Sequence, residues 1–309
     1  MVIPLKNKTN LKKKEVVCIT GVDGFIGSHL ANYLLKKGYD VYGIDNHSVG
    51  KRRYEGTLEI NLCDYECVLK LFEEIKPDYV FHLAAFARIQ PSIDDPVLWI
   101  SNNVESTLNV LEASRITGVK KVVFSSSSSV YGDNTIPFRE SIPIDIKTPY
   151  ALSKSMGEQM CKLYSRIYSL HTSIVRYFNV YGKRQIETGK FATVIGIMLN
   201  ERKNNKPITI TGTGKMRRDF TYIDDIVEGT YKAMILGHRG EVYNLGCGKN
   251  YSIKYLAKLI QPNSKMHKKG YVRLQEAWET QADITKAKRD LNWKPKYSLK
   301  RGLKEMGAI

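Results

Sequence analysis

Residues 15–38 read EVVCITGVDGFIGSHLANYLLKKG. The first six are apolar and β-branched, as in a buried strand, and the last fourteen repeat apolar residues at helical spacing. Between them stands a GxxGxxG turn made by Gly21, Gly24 and Gly27. Glycines there permit a tight bend and let the backbone approach a pyrophosphate at the N-terminus of the following helix. A glycine triplet alone is a weak signal; a strand before it and a helix after it make it a dinucleotide loop. The second strand, DVYGID at 40–45, ends in Asp45, 18 residues past Gly27. A carboxylate there accepts hydrogen bonds from an adenosine ribose and repels a 2′-phosphate, so NAD is expected over NADP. The run GKRR at 50–53 stands where it would soften that preference.

Working outward, short β-branched runs recur at 57–61, 78–85, 120–126 and 172–180, with helical patterns between most of them, including 97–117 and 149–169. Repeated strand–helix units with continuously apolar strands predict a doubly wound parallel α/β sheet of the Rossmann type. Past residue 180 the pattern loosens. Helices are expected in KFATVIGIMLNERKN and DDIVEGTYKAMIL, strands in PITIT and EVYNLG, and a short helix in DITKAKRDLNW. The predicted organisation is a basic tail at 1–14, a nucleotide-binding domain at 15–180, and a smaller mixed α/β substrate domain at 181–309. Some segments of the last are expected to return to the first.

The chain has 309 residues, 42% hydrophobic and 26% charged, which suits a soluble globular protein with an ample core. No apolar run approaches the ~18 residues that span a bilayer. The opening MVIPLKNKTNLKKK lacks an apolar signal core and reads as a solvated tail, so a cytoplasmic location is expected. Five cysteines show neither CxxC pairing nor a zinc-like Cys/His cluster, so reduced thiols and no metal are expected. The net charge of +17 would suit an anionic partner. Its lysines are scattered without interleaved aromatics, which argues against single-stranded nucleic acid.

A second stretch carries chemistry. In TPYALSKSMGEQ (148–159), Thr148 and Pro149 start a helix, and Tyr150 and Lys154 share one face a turn apart. With the glycine loop, HLAA after the fourth strand and SSSSSVYG after the fifth, they fall at the carboxyl ends of the strands, where such sheets bind ligands. Lys154, beside a nicotinamide ribose and its positive ring, would lower the Tyr150 pKa so that the phenolate can take a hydroxyl proton.

The set TGxxGFIG, HLAA, SSSSVYGD, PYxxSK, RYFNVYG and RRDFTYIDD, spread in order over about residues 15–305, resembles the extended short-chain dehydrogenase/reductases that act on nucleotide sugars. It is most similar to the UDP-glucose and UDP-N-acetylglucosamine 4-epimerases. The resemblance implies Tyr150 as catalytic base, Lys154 as its partner and Ser127 as the hydroxyl assisting at O4. It implies NAD contacts at Gly21, Gly24, Phe25, Ile26, Gly27, Asp45, Asn46, Asn61, Leu62, Ala84, Asn102, Tyr150, Lys154 and Tyr177. Asn179, Arg218, Arg273 and Thr280, with Ser127 and Tyr150, would hold a UDP-sugar. Asn61 stands where the family usually has an acid, and Gln275 replaces the usual glycine of an Arg-x-Gly-acid motif. The implied reaction is reversible oxidation at C4 through a transient 4-keto sugar. Threonine at 280, in place of a large tyrosine, would leave room for an N-acetyl group beside UDP-glucose and UDP-galactose. A homodimer through helices 97–117 and 149–169 is implied as well.

Two other readings compete. A 4,6-dehydratase or decarboxylase/epimerase of the same family would carry an acid just before VYG, where Ser128 and Ser129 stand. A nucleic-acid-binding protein on this scaffold would suit the charge but not the Tyr150–Lys154–Ser127 set. His82 is expected as a hydrogen-bonded near-core residue, Trp99, Trp278 and Trp293 as packing residues, and Arg217 at the surface.

Overall fold

The computed structural model describes residues 14–263, 267–270 and 275–309. Its centre is a parallel sheet whose first strands are β1 (Val16–Thr20), β2 (Asp40–Asp45), β3 (Leu58–Glu59), β4 (Tyr79–His82), β5 (Lys121–Ser127) and β6 (Thr172–Tyr177). The connecting helices are α1 (Phe25–Lys36), α2 (Tyr65–Ile75), α3 (Ile89–Asp94), α4 (Pro96–Ile116) and α5 (Pro149–Ile167). The doubly wound Rossmann sheet expected from the sequence is the fold found, and the strand at 40–45 has the expected limits.

Three expected strands are shorter than their apolar runs. β4 ends at His82: the Leu83 amide is shared between the Thr20 carbonyl of β1 and the Thr20 hydroxyl, at 3.2 Å each, and the Ala84 amide turns to the same hydroxyl at 3.2 Å. β6 ends at Tyr177, two residues before Asn179 takes a positive φ of 25°. β3 keeps only two residues, paired with the end of β2.

Alternate residues of each strand feed opposite faces, as a two-sided sheet requires. Val17 and Ile19 of β1, with Val123 and Val175, pack with Leu30, Ala31 and Leu34 of α1. Cys18, Val122, Phe124 and Ile174 pack instead with α2, α4 and α5. Gly157 lets α5 lie flat on that second face, since a Cβ there would come within 2.3 Å of the Phe124 ring. A glycine inside a helix costs roughly 0.5–1 kcal/mol against alanine. Close approach of helix to strand is what the glycine supplies.

Beyond β6 come β7 (Val180–Tyr181), α6 (Val194–Lys203), β8 (Ile208–Thr211), β9 (Arg217–Arg218), β10 (Thr221–Tyr222), α7 (Ile223–Leu236) and β11 (Glu241–Leu245). β11 returns to the main sheet beside β6, completing seven strands in the order β11-β6-β5-β4-β1-β2-β3. The chain continues with β12 (Tyr251–Ser252), α8 (Ile253–Ile260), β13 (His267–Gly270), α9 (Thr285–Asp290) and α10 (Leu299–Glu305). Small pairings of β8 with β13, β9 with β12 and β7 with β10 build the second layer over the carboxyl edge.

Trp99 and Trp293 are buried, the latter donating its indole N–H to the Asp225 carbonyl at 3.0 Å. Trp278 departs from its expected packing role and is 57% exposed. Its backbone holds the fold there: the Trp278 carbonyl accepts from the Arg217 amide at 3.0 Å while the indole faces outward. All five cysteines are free. Among the described residues no helix is long and apolar enough to cross a membrane, and no His/Cys/Asp/Glu group could hold a metal ion.

Candidate active site

Strand order reverses between β1 and β4, and the crevice outside their carboxyl ends is where a doubly wound sheet accepts ligands. Thr20 and His82 fix that point, with the Thr20 hydroxyl 2.8 Å from His82 Nδ1. His82 Nε2 lies 3.1 Å from the Thr107 hydroxyl. Burial, then the nearby Lys154 charge, push its imidazole down to about 3. His82 is thus a neutral, doubly hydrogen-bonded interior histidine.

A cavity of about 680 Å³ opens over this crevice. Every expected site residue except Arg273 borders it; Arg273 lies outside the described residues.

At one end is the glycine turn. A Cβ on Gly27 would stand 2.1 Å from the Gly21 carbonyl oxygen, so α1 abuts the turn at a distance only glycine allows. The start of α1 has no side-chain cap and no acid in its first turn. Its amides and dipole are therefore available to an anion, with Phe25 and Ile26 at the cavity wall. Asp45 accepts the amides of Asp23 at 3.1 Å and His47 at 2.8 Å, and burial raises its carboxyl above the usual range.

Arg52 and Arg53 do not face this cavity. Arg52 donates to the Thr57 carbonyl and Arg53 to the Arg184 carbonyl, so these bonds direct both guanidinium groups to loop carbonyls and neither residue lines the cavity beside Asp45. Beside them Asn46 and Asn61 line the wall, the Asn61 side-chain oxygen taking the Cys63 amide at 3.1 Å.

At the centre stand Ser127, Tyr150 and Lys154. Thr148 caps α5 by accepting the Ala151 amide, which seats Tyr150 in the first turn. The buried Lys154 Nζ donates to the Ser125 carbonyl at 2.8 Å and lies 5.1 Å above the Phe124 ring. Burial pushes its ammonium down to about 8, with Cys161 and Glu158 opposing. The Ser127 hydroxyl accepts the Ser129 amide at 3.2 Å and is hydrogen-bonded to the Tyr150 phenol. Burial raises that phenol above its ordinary value, while Ser127 and the charge of Arg88 act downward. The chain's own groups thus do not deliver the depression expected of Lys154.

At the far end Asn179 donates to the Thr280 hydroxyl at 3.2 Å, and the same hydroxyl accepts the Asp219 amide at 3.2 Å. Arg218 is paired with Glu276 at 3.1 Å. Thr280 borders the cavity and its neighbours Glu279 and Gln281 do not. Gln275 keeps a glycine-like φ of 54°, so the loop holds its bend despite the larger residue.

Three site-shaping residues escaped the sequence reading. Asp23 accepts the amides of Arg53 and Tyr54 at 2.6 Å each, the Thr57 hydroxyl at 2.9 Å and His47 Nε2 at 2.8 Å. It gathers the whole loop after β2, although burial alone would raise its acid; those bonds hold it low. Asn103 accepts the Phe86 amide and donates to the Phe86 carbonyl and the Ser153 hydroxyl, joining the loop after β4 to α5. Arg88 borders the cavity beside Tyr150. Only TGxxG could have pointed to Asp23; no local pattern marks the other two.

This arrangement, an open helix N-terminus, a cavity-lining carboxylate at the end of the second strand and a Ser–Tyr–Lys centre in one cleft, suits an NAD-linked enzyme acting on a hydroxyl-bearing substrate. The model of the NAD-dependent epimerase/dehydratase family matches residues 17–246, and the chain belongs to that family. It is 36% identical over 306 residues to the UDP-glucuronate 4-epimerase of Thermodesulfobacterium geofontis, covering 93% of each chain. It superimposes on the UDP-glucose 4-epimerase of Thermotoga maritima, solved with UDP-glucose, with a TM-score of 0.90 and 35% identity, covering 94% and 97% of the two chains. The UDP-glucuronic acid 4-epimerase of Bacillus cereus, solved with UDP-glucuronic acid and NAD, gives 0.84 and 32%, with the same coverage.

The cofactor is NAD, as expected, and the cleft fits it at the uncapped start of α1 and at Asp45. Asp45→Ala is expected to narrow the preference for NAD over NADP by about ten-fold or more, through loss of one charge-dependent contact and of repulsion toward the 2′-phosphate. Fluorescence titration of both cofactors checks this; wild-type protein that binds NADP as tightly as NAD would rule out the role.

Proposed function

We propose that the chain is a UDP-hexose 4-epimerase, working on UDP-glucose/UDP-galactose and, through the small Thr280, on the N-acetylated pair. The observation that carries this is the convergence of Ser127, Tyr150 and Lys154 in the cleft that also holds the open start of α1 and Asp45. Bound in this cleft, NAD would supply the hydride acceptor and donor for C4 and a positive ring whose charge would lower the Tyr150 pKa.

The chain's residues do the rest. The Ser127 hydroxyl bridges O4 and the Tyr150 phenol, so the O4 proton passes to Tyr150 as the carbonyl forms. Lys154 orients the nicotinamide ribose and supports the phenolate. Arg218, with Arg273, holds the diphosphate while the sugar turns, and Asn179 holds the substrate near Thr280. Ser128 and Ser129 occupy the positions where elimination of the C6 hydroxyl would need an acid, and hydroxyls are poor proton donors near neutrality. That favours epimerisation over the 4,6-dehydratase or decarboxylase alternative. The exposed Met156 and Leu163 of α5, with Leu108 and Ile116 of α4, support a homodimer across these two helices. Met160 turns inward against the core instead.

Tyr150→Phe keeps the ring and removes the ionisable hydroxyl, and turnover is expected to fall by about three orders of magnitude with NAD retained. Near-native turnover of Tyr150→Phe would end this mechanism. Thr280→Tyr is expected to cut kcat/KM for the N-acetylated sugars well below that for the plain ones; an unchanged ratio removes Thr280 as the gate. Light scattering at micromolar concentration is expected to give a dimer mass, and a monomer mass contradicts the interface.

A further inference from the structure

The connection from β7 to α6 forms no helix or strand, yet its residues 183–191 are fastened at both ends. The first end lies on α1. His29 Nε2 donates to the Lys183 carbonyl and Arg53 Nη1 to the Arg184 carbonyl, at 2.8 Å each, and Arg184 Nη1 donates to the Ser28 carbonyl at 3.4 Å. The second end lies against α4 and the loop after β4. Arg88 Nε donates to the Phe191 carbonyl at 2.9 Å. The Phe191 ring stacks 6.0 Å from Trp99 and 6.5 Å from Phe86, and the Lys190 ammonium stands 5.5 Å over the Trp99 ring.

Topology gives the two ends their meaning. α1 packs on one face of the sheet and α4 on the other, and the crevice opens between them at the carboxyl ends of β1 and β4. Ile186 and Gly189, between the fastened ends, border the cavity there. The segment therefore crosses the crevice from bank to bank. It also holds its own bend, because the Thr193 amide donates to the Ile186 carbonyl and the Ala192 amide to the Gly189 carbonyl, at 3.1 Å each.

We propose that residues 183–191 are a strap across the cofactor cleft, which slows both entry and release of NAD, and that Arg53, Arg184 and Trp99 are positioning residues that hold it shut. The proposal rests on the 4-epimerase reading, in which hydride taken from a sugar must return to it before the cofactor leaves. Each tie is modest alone. Opening at either bank requires its ties to break together, so it is rare compared with the breaking of any one. A barrier of this kind, as in loops that close over ligands, acts equally in both directions. It changes the rates and leaves the affinity nearly alone.

The test follows labelled NAD on the holoenzyme. Release is timed by chase with excess unlabelled NAD, Kd is taken from equilibrium dialysis, and the ratio of the two gives the entry rate. None of Arg53, Arg184 and Trp99 borders the cavity, so replacing them removes no part of its wall. Release is expected to quicken about five-fold in the double variant Arg53→Met/Arg184→Met and about ten-fold in Trp99→Leu, with Kd within about two-fold of wild type in each. Trp99→Phe, which keeps a ring in the core, is expected to quicken release about three-fold and stands in should Trp99→Leu not fold. Unchanged release at either bank overturns the proposal. Faster release with Kd raised by the same factor also overturns it, since entry is then unchanged and a cofactor contact, or the attraction of the arginines for the diphosphate, has been lost instead. Turnover of UDP-glucose at saturating NAD separates the two readings. If UDP-glucose is epimerised while the variants release NAD as wild type does, the strap falls and the 4-epimerase reading stands. If entry and release both quicken and no UDP-sugar is epimerised, the strap stands on NAD alone and that reading falls.

Discussion

Glu158 is buried one turn beyond Lys154 on α5, and its carboxylate ties that helix to two strands at once. One oxygen accepts from the Ser126 hydroxyl at 2.5 Å and Arg176 Nε at 2.8 Å, and the other takes Arg176 Nη2 at 2.6 Å. Tyr150, Lys154 and Glu158 form one stripe at four-residue spacing, so the ion pair at its inner end sets the reach of the two groups at its outer end. Removing one partner of such a buried pair strands a charge at a cost of roughly 3–5 kcal/mol, far more than the intact pair contributes. Its value here is registry. Ser126, Ser127 and the Lys154 acceptor Ser125 are consecutive on β5, so a slip of α5 along the sheet would break the anchor and the centre together.

The same logic explains which parts of the molecule the sequence discloses. The glycine turn, the Asp45 strand end and the Thr-Pro helix start are local devices, each written in a few adjacent residues, and their geometry follows from those residues. The limits of β4 and β6 were not legible because they depend on distant partners. Leu83 and Ala84 look like two more apolar strand residues, and only the Thr20 hydroxyl, brought alongside by the sheet, takes the Ala84 amide and shares that of Leu83. Asp23 is likewise a plain turn residue in sequence. Its role appears only when the loop at 47–57 has folded back over it.

Strain at the cavity was hidden for a further reason. Arg88 and Gln275 hold positive φ with side chains that do not favour it, Asn179 holds it with one that tolerates it, and all three border the cleft. A propensity argument reads arginine, asparagine and glutamine as ordinary loop residues. The fold overrides that preference where backbone direction is dictated by neighbours: Asn103 on the Phe86 segment, and Thr221, whose amide takes the Asn179 carbonyl at 3.3 Å. Outliers gathered around one cavity are where function, rather than stability, chooses the residue.

Charge gives the last instance. The surplus of +17 drew attention to anionic polymers, yet lysines 36, 37, 51, 76, 183, 203 and 206 are exposed and spread over separate elements. An exposed ammonium in high dielectric interacts weakly and is screened within about 10 Å at ordinary ionic strength. A cation beneath the surface acts on its neighbours several times more strongly at the same distance. Lys154, buried with its ammonium on the Ser125 carbonyl, adds to burial in lowering the His82 imidazole, and the charge of Arg88 acts downward on the Tyr150 phenol. Depth, more than number, decides which of the 48 basic residues bear on the chemistry.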